Sequence, residues 1–153
     1  SYYREYYEEK GMFENEVYPG IKELLRVLTK QGILCLVATS KPEIYAKKIL
    51  DYYELSNYFY YIAGANMDGT RTDKAEVIAY ALKQIPAEYN NKKVLMVGDR
   101  SHDIIGAKKN GIDCAGVLFG YGSREELEEA GADFVADSVE AVRNIVFLNA
   151  AKN

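Results

Sequence analysis

Val94-Leu95-Met96-Val97-Gly98-Asp99-Arg100-Ser101-His102-Asp103 passes from an uninterrupted apolar run to a polar helix start. Val94 to Val97 has the continuity of a strand buried on both faces. Ser101 to Asn110 then reads as a helix stopped by Gly111. Gly98 allows close backbone approach beside Asp99. Asp103 falls one helical turn after Asp99, which would point both carboxylates the same way.

The same alternation runs through the flanking sequence. Tyr18-Pro19-Gly20 is a turn or linker signal, followed by a helical stripe of Ile21, Leu24, Leu25 and Leu28 that Gly32 closes. Ile33 to Ala38 is a second continuous apolar run of strand length. Pro42 opens a helix in which Ile44, Ile49, Leu50 and Tyr53 share a face. Phe59 to Ala63 reads as a short strand, and Gly64 to Thr72 as a polar loop. Asp73 is placed to cap a helix carrying Ala75, Ile78, Ala79 and Leu82, and Pro86 ends that region. Ile112 to Leu118 and Phe134 to Ala136 are further strands; Ser123 begins a short acidic helix, and Val139, Val142, Ile145 and Val146 stripe the last one. Strands alternating with helices imply an α/β fold built on a doubly wound parallel sheet.

Composition bounds the function. The chain has 153 residues, 48% of them hydrophobic and 27% charged, as in an ordinary soluble domain with a real core. Nineteen basic against 23 acidic side chains give a net charge of −4 with no basic stripe, which argues against nucleic acid. The apolar runs are too short to span a bilayer, and Ser1-Tyr2-Tyr3-Arg4-Glu5 is no signal peptide. Cys35 and Cys114 lie in apolar runs and read as buried thiols, in keeping with a cytoplasmic setting. Tyr52, Tyr53, Tyr58, Tyr60 and Tyr61 cluster in one stretch and read as packing residues.

In doubly wound folds, ligands bind beyond the carboxyl ends of the strands. Three such places carry reactive groups: Thr39-Ser40-Lys41, Lys74, and Asp99 with Asp103. A hydroxyl and backbone N–H groups can hold phosphate oxygens, an ammonium can neutralise a phosphoryl dianion, and carboxylates suit Mg²⁺. Singly, each has an ordinary explanation. Thr39 serves as a local hydrogen bonder, Lys74 as a solvated lysine, and the aspartates as a cap and an exposed charge. Their order and shared strand-end placement favour the functional reading.

That arrangement resembles the haloacid dehalogenase superfamily, in its phosphoglycolate phosphatase-like branch, from about Tyr18 to the end. Val37-Ala38-Thr39-Ser40-Lys41-Pro42 resembles the second family motif, Arg71-Thr72-Asp73-Lys74 the third, and Val97-Gly98-Asp99-Arg100-Ser101-His102-Asp103 the fourth. Phe119-Gly120-Tyr121-Gly122-Ser123 is similar to the loop after the next strand. The resemblance implies a Mg²⁺-dependent phosphatase of a small phosphorylated metabolite with a Rossmann-like core. Thr39 and Ser40 would then bind phosphate, and Lys74 would stabilise nucleophile and phosphoryl group. Asp99 would ligate the metal directly, with Asp103 nearby and often acting through water. A phosphomutase or dehalogenase relative, or a non-catalytic phosphate-binding or regulatory domain, stays open.

Family members begin with an Asp-x-Asp strand whose first carboxylate attacks phosphorus. Residues 1 to 17 hold glutamates but no aspartate and resemble the end of a helical cap, leaving 18–153 as a core without its first strand. The expectation is a chain lacking its nucleophile and inactive alone. Open sheet edges would make it dimerise, exchange a strand or rearrange its sheet, unless it was cut after folding. Asn66-Met67-Asp68-Gly69-Thr70 imitates the nucleophile motif, but a neutral amide is a poor attacking group and the stretch reads as a turn. His102, the only histidine, reads as structural or solvent-facing, and Arg100 as orienting a phosphate or pairing with Asp103.

Overall fold

The computed structural model describes residues 19–150, and the segment read as a cap remnant lies outside the described residues. The elements run α1 (Ile21–Lys30), β1 (Leu36–Pro42), α2 (Glu43–Tyr52), β2 (Tyr61–Ala65), α3 (Lys74–Lys83), β3 (Leu95–Gly98), α4 (Ser101–Lys109), β4 (Asp113–Val117), α5 (Arg124–Ala130), β5 (Phe134–Ala136) and α6 (Val139–Ala150). Short 3₁₀ turns occur at Ser56–Tyr58 and Ala87–Tyr89. The chain divides after Thr72 into two compact units.

In the first unit α1 buries Leu24, Leu25 and Leu28. Its end is closed by a paired bond: Gly32 N–H donates to Thr29 O at 3.0 Å and Ile33 N–H to Leu28 O at 3.0 Å. That geometry requires the left-handed φ of 79° that Gly32 adopts. It also explains why the strand starts later than the apolar run. Ile33 N–H is used in closing the helix, so β1 begins at Leu36 instead of Ile33 and continues through Thr39, Ser40 and Lys41. β1 pairs in parallel with β2 from Leu36↔Tyr61 to Ala38↔Ala63, and the register shifts before Pro42↔Ala65. α2 packs on both strands through Ala46 and Ile49.

The second unit is a parallel sheet in the order β3-β4-β5, with Leu95 opposite Asp113 and Ala115 opposite Phe134. α4 lies on β3 and β4, α3 and α5 flank α4, and α6 covers β5. The core is made of Ile104, Ala107, Cys114 and Leu127, with Met96, Ile112, Leu118, Ala130 and Ala132 packed around them. Ile104 and Leu127 are fully buried, and each such side chain contributes about 1.5–3 kcal/mol.

Several expected faces differ. Ile44 is 53% exposed, so the buried face of α2 is Ala46 and Ile49. In α3 the stripe is Val77, Ile78 and Ala81, rotated from the expected one because this helix packs on α4. Val97 is 40% exposed rather than buried, since among the described residues β3 has one hydrogen-bonded neighbour, β4. Tyr52 and Tyr60 are also mostly exposed, which limits the packing reading of the tyrosine cluster to Tyr53, Tyr58 and Tyr61. Tyr53 meets Tyr52 edge to face at 5.1 Å.

Both cysteines are free; Cys114 is fully buried and Cys35 half-buried. Burial, helped by the Asp103 and Asp133 charges, pushes the Cys114 thiol up to about 12. The folded state therefore favours the neutral thiol. Its stabilising effect is complete below the ordinary thiol pKa of the unfolded chain and is lost as pH rises from there toward about 12. At pH 8 a disulfide reagent should titrate two thiols in denaturant, while Cys114 in the native protein reacts only as fast as the structure opens. Prompt native labelling of Cys114 would contradict its place in the core.

Candidate active site

The junction of β3 and α4 is organised by one carboxylate. Asp103, in the first turn of α4, reaches back so that its Oδ2 accepts the N–H groups of Asp99 and Arg100, each at 3.1 Å. A helix start leaves such donors without partners. The side chain is 6% exposed, and its other oxygen, Oδ1, lies 2.6 Å from Lys74 Nζ. Lys74 opens α3, where Asp73 Oδ2 accepts Ala75 N–H at 3.1 Å and Glu76 Oε1 accepts Asp73 N–H at 3.4 Å. This cap fixes the base of the lysine, and the packing of α3 on α4 delivers its ammonium to Asp103.

Asp99 precedes α4 rather than lying on it. The two aspartates therefore converge because Asp103 folds back over the loop, not because they share a helix face. Asp99 is gripped from β4's side by the loop after that strand: Tyr121 N–H donates to Oδ2 at 2.9 Å and Gly122 N–H to the main-chain oxygen at 2.9 Å. Its Oδ1 accepts no hydrogen bond among the described residues. Two glycines make room for the carboxylates. A Cβ on Gly98 would overlap the Asp103 side chain, and one on Gly120 would overlap that of Asp99.

Glu126 was not legible as part of this site. Its Oε2 accepts Ser101 N–H at 2.7 Å and Arg100 Nε–H at 2.9 Å. The spacing Ser123-x-x-Glu126 reads as a capping box, and Ser123 Oγ does accept Glu126 N–H at 3.1 Å. Nothing local marks the glutamate as a partner for a loop 25 residues away. The Arg100 hydrogen bond, then Ser101 N–H, holds the Glu126 carboxyl below the usual carboxylate range. Arg100 thus turns to Glu126 instead of pairing with Asp103. His102 is 55% exposed, with Nε2 3.9 Å from Asp103 Oδ1, beyond hydrogen-bonding distance.

Thr39 and Ser40 belong to the first unit, at the register shift of β1. Thr39 Oγ1 accepts Lys41 N–H at 3.2 Å, which leaves its own hydrogen to donate. Asn66 to Thr70 forms a turn: Asn66 N–H bonds Thr70 O at 3.2 Å, and Asp68 Oδ1 accepts from the Thr70 hydroxyl at 2.7 Å and its N–H at 3.0 Å. The Thr70 hydroxyl lowers the Asp68 carboxyl below its ordinary range.

Among the described residues, no group of three or more His, Cys, Asp or Glu side chains is arranged to hold a metal ion. Mg²⁺ is commonly held by one or two carboxylates, with waters and substrate oxygens completing the octahedron. Asp99 and Asp103 fit that demand: Asp99 has an uncommitted oxygen, while both oxygens of Asp103 are already engaged and suit contact through water.

The haloacid dehalogenase-like hydrolase family profile matches residues 1–117. The 5′-nucleotidase of Pseudomonas aeruginosa is 38% identical over 95% of this chain, which spans 65% of that protein. Tyrosine-protein kinase PtkA of Mycobacterium tuberculosis is 40% identical over 87% of the chain, which spans 45% of its length. The crystal structure of a predicted phosphatase from Clostridium acetobutylicum superposes with a TM-score of 0.85 at 43% identity, covering 96% of this chain and 67% of that one. Among the described residues no helix is long and apolar enough to cross a membrane. The chain belongs to the haloacid dehalogenase-like hydrolase family.

Proposed function

We propose that the protein containing this chain is a Mg²⁺-dependent phosphatase of a small phosphomonoester. The observation that carries this reading is the buried Lys74–Asp103 pair at 2.6 Å beside Asp99, at the carboxyl end of β3. A cation and two carboxylates at a strand end are the components phosphoryl transfer needs, because its catalysis is mostly positioning and charge stabilisation.

The Lys74 ammonium, held beside Asp103 Oδ1, offsets negative charge on the phosphoryl oxygens. Thr39 donates its hydroxyl hydrogen to a phosphate oxygen, and Ser40 contributes a second polar contact. Asp99 would hold Mg²⁺ directly and Asp103 through water. When bound, the ion supplies Lewis-acid polarisation of the phosphoryl group. Asp103 also keeps the Asp99 loop in place through the two N–H groups it accepts. We assign the attacking carboxylate to a residue outside these 153, since the segment 1–17 offers no aspartate.

The relative named 5′-nucleotidase makes nucleoside monophosphates the first substrates to test, followed by phosphoglycolate, sugar phosphates and pyrophosphate. The relative named a tyrosine-protein kinase favours a second reading, phosphoryl transfer to an acceptor other than water. The test assays the whole protein and the 153-residue chain on an aryl phosphate, with and without Mg²⁺. Hydrolysis by the whole protein, dependent on Mg²⁺ and lost in the chain alone, is expected. Robust turnover by the chain alone would refute the placement of the nucleophile, and turnover unaffected by chelation would refute the metal.

A further inference from the structure

Asp99 can act as a ligand only if its backbone is held, and three consecutive N–H groups define that backbone. Asp103 takes those of Asp99 and Arg100. The third, on Ser101, goes to Glu126 at 2.7 Å, from a different helix. The same oxygen takes Arg100 Nε–H at 2.9 Å. Glu126 thereby does two things. It anchors the peptide that follows Asp99, and it engages a guanidinium whose other carboxylate neighbours are Asp99 and Asp103. Gly122 closes the arrangement: its N–H binds Asp99 O at 2.9 Å, and a Cβ there would meet that oxygen and lie 3.4 Å from Glu126 Oε2. The start of α5 and the loop before it thus form a latch on the Asp99 loop.

We propose that Glu126 is a positioning residue for Asp99, setting metal affinity through Ser101 N–H and by holding Arg100 away from the aspartates. This rests on the reading of Asp99 as a Mg²⁺ ligand. The latch works by geometry more than by charge, because the glutamate touches the residues one and two positions beyond Asp99 rather than Asp99 itself and is already paired with Arg100. Glutamine keeps an acceptor of the same reach, whereas alanine removes it.

The experiment titrates Mg²⁺ alone into the whole protein by calorimetry and records the unfolding temperature in chelator. It compares wild type, Glu126→Ala, Glu126→Gln and Asp99→Asn. Glu126→Ala is expected to weaken Mg²⁺ binding about tenfold, as loss of a supporting partner does, while Glu126→Gln stays within about threefold. Glu126→Gln as weak as Glu126→Ala would mean that charge alone acts, and would overturn the latch. Unchanged binding in Glu126→Ala with lost binding in Asp99→Asn would overturn this inference alone. Unchanged binding in Asp99→Asn would remove the metal reading and the latch with it. Should Glu126→Ala fail to fold, Glu126→Asp, one methylene short of Ser101 N–H, replaces it and must show the same weakening.

Discussion

Lys74→Met is expected to lower the unfolding free energy by about 3–5 kcal/mol and, in the whole protein, to abolish the phosphatase turnover proposed above. The stability effect follows from burial. Lys74 and Asp103 side chains are 10% and 6% exposed, and their charged atoms meet at 2.6 Å. Removing one member of a buried pair strands the other charge, which costs more than the pair itself contributes. Methionine matches the lysine stem, so little of the loss reflects packing. Adding Asp103→Asn in the same chain should recover part of the stability, because the amide oxygen still accepts the Asp99 and Arg100 N–H groups without carrying charge. Urea unfolding of the two single variants and the double variant gives the coupling directly. A loss below about 1 kcal/mol in Lys74→Met would show that the pair is solvated and screened in solution, and would remove the rigid cation from the site.

Asp99→Asn should separate chemistry from stability. The amide oxygen can still accept Tyr121 N–H, and the main-chain oxygen keeps its bond to Gly122. The unfolding temperature should therefore change little. Activity of the whole protein is expected to fall by about 10²–10³-fold, the scale of removing one group that stabilises transition-state charge. Raising Mg²⁺ should rescue only part of it, since the lost carboxylate is the one with an uncommitted oxygen. Activity unchanged from wild type would sink the assignment of Asp99 to the metal.

Element types were readable from short-range chemistry. Val94 to Val97, Phe134 to Ala136, the Asp73 cap and the Gly32 and Gly111 stops all reflect preferences of a few neighbouring residues, and the elements stand close to those positions. The displaced boundaries have a common cause. The apolar run at Ile33 could not reveal that Ile33 N–H closes α1, because that choice depends on hydrogen bonds rather than hydrophobicity. Likewise the inward face of α3 depended on its packing against α4, and the exposure of Ile44 and Val97 on what lies beside them.

The stretch from Val94 to Asp103 determined, by itself, a strand, a glycine, an aspartate, a helix start and a second aspartate in that order. Residue order also placed Lys74 at the start of another helix and Thr39 after another apolar run. What tertiary structure alone decided is how those groups are used. Lys74 and Asp103 meet across 29 residues, Asp99 is gripped by Tyr121 and Gly122, and Glu126 reaches from α5 to hold Arg100 and Ser101. Local sequence carries the cost and preference of each backbone conformation. It does not carry the partner of a buried charge, because that partner is whichever group the packing of distant elements brings within reach.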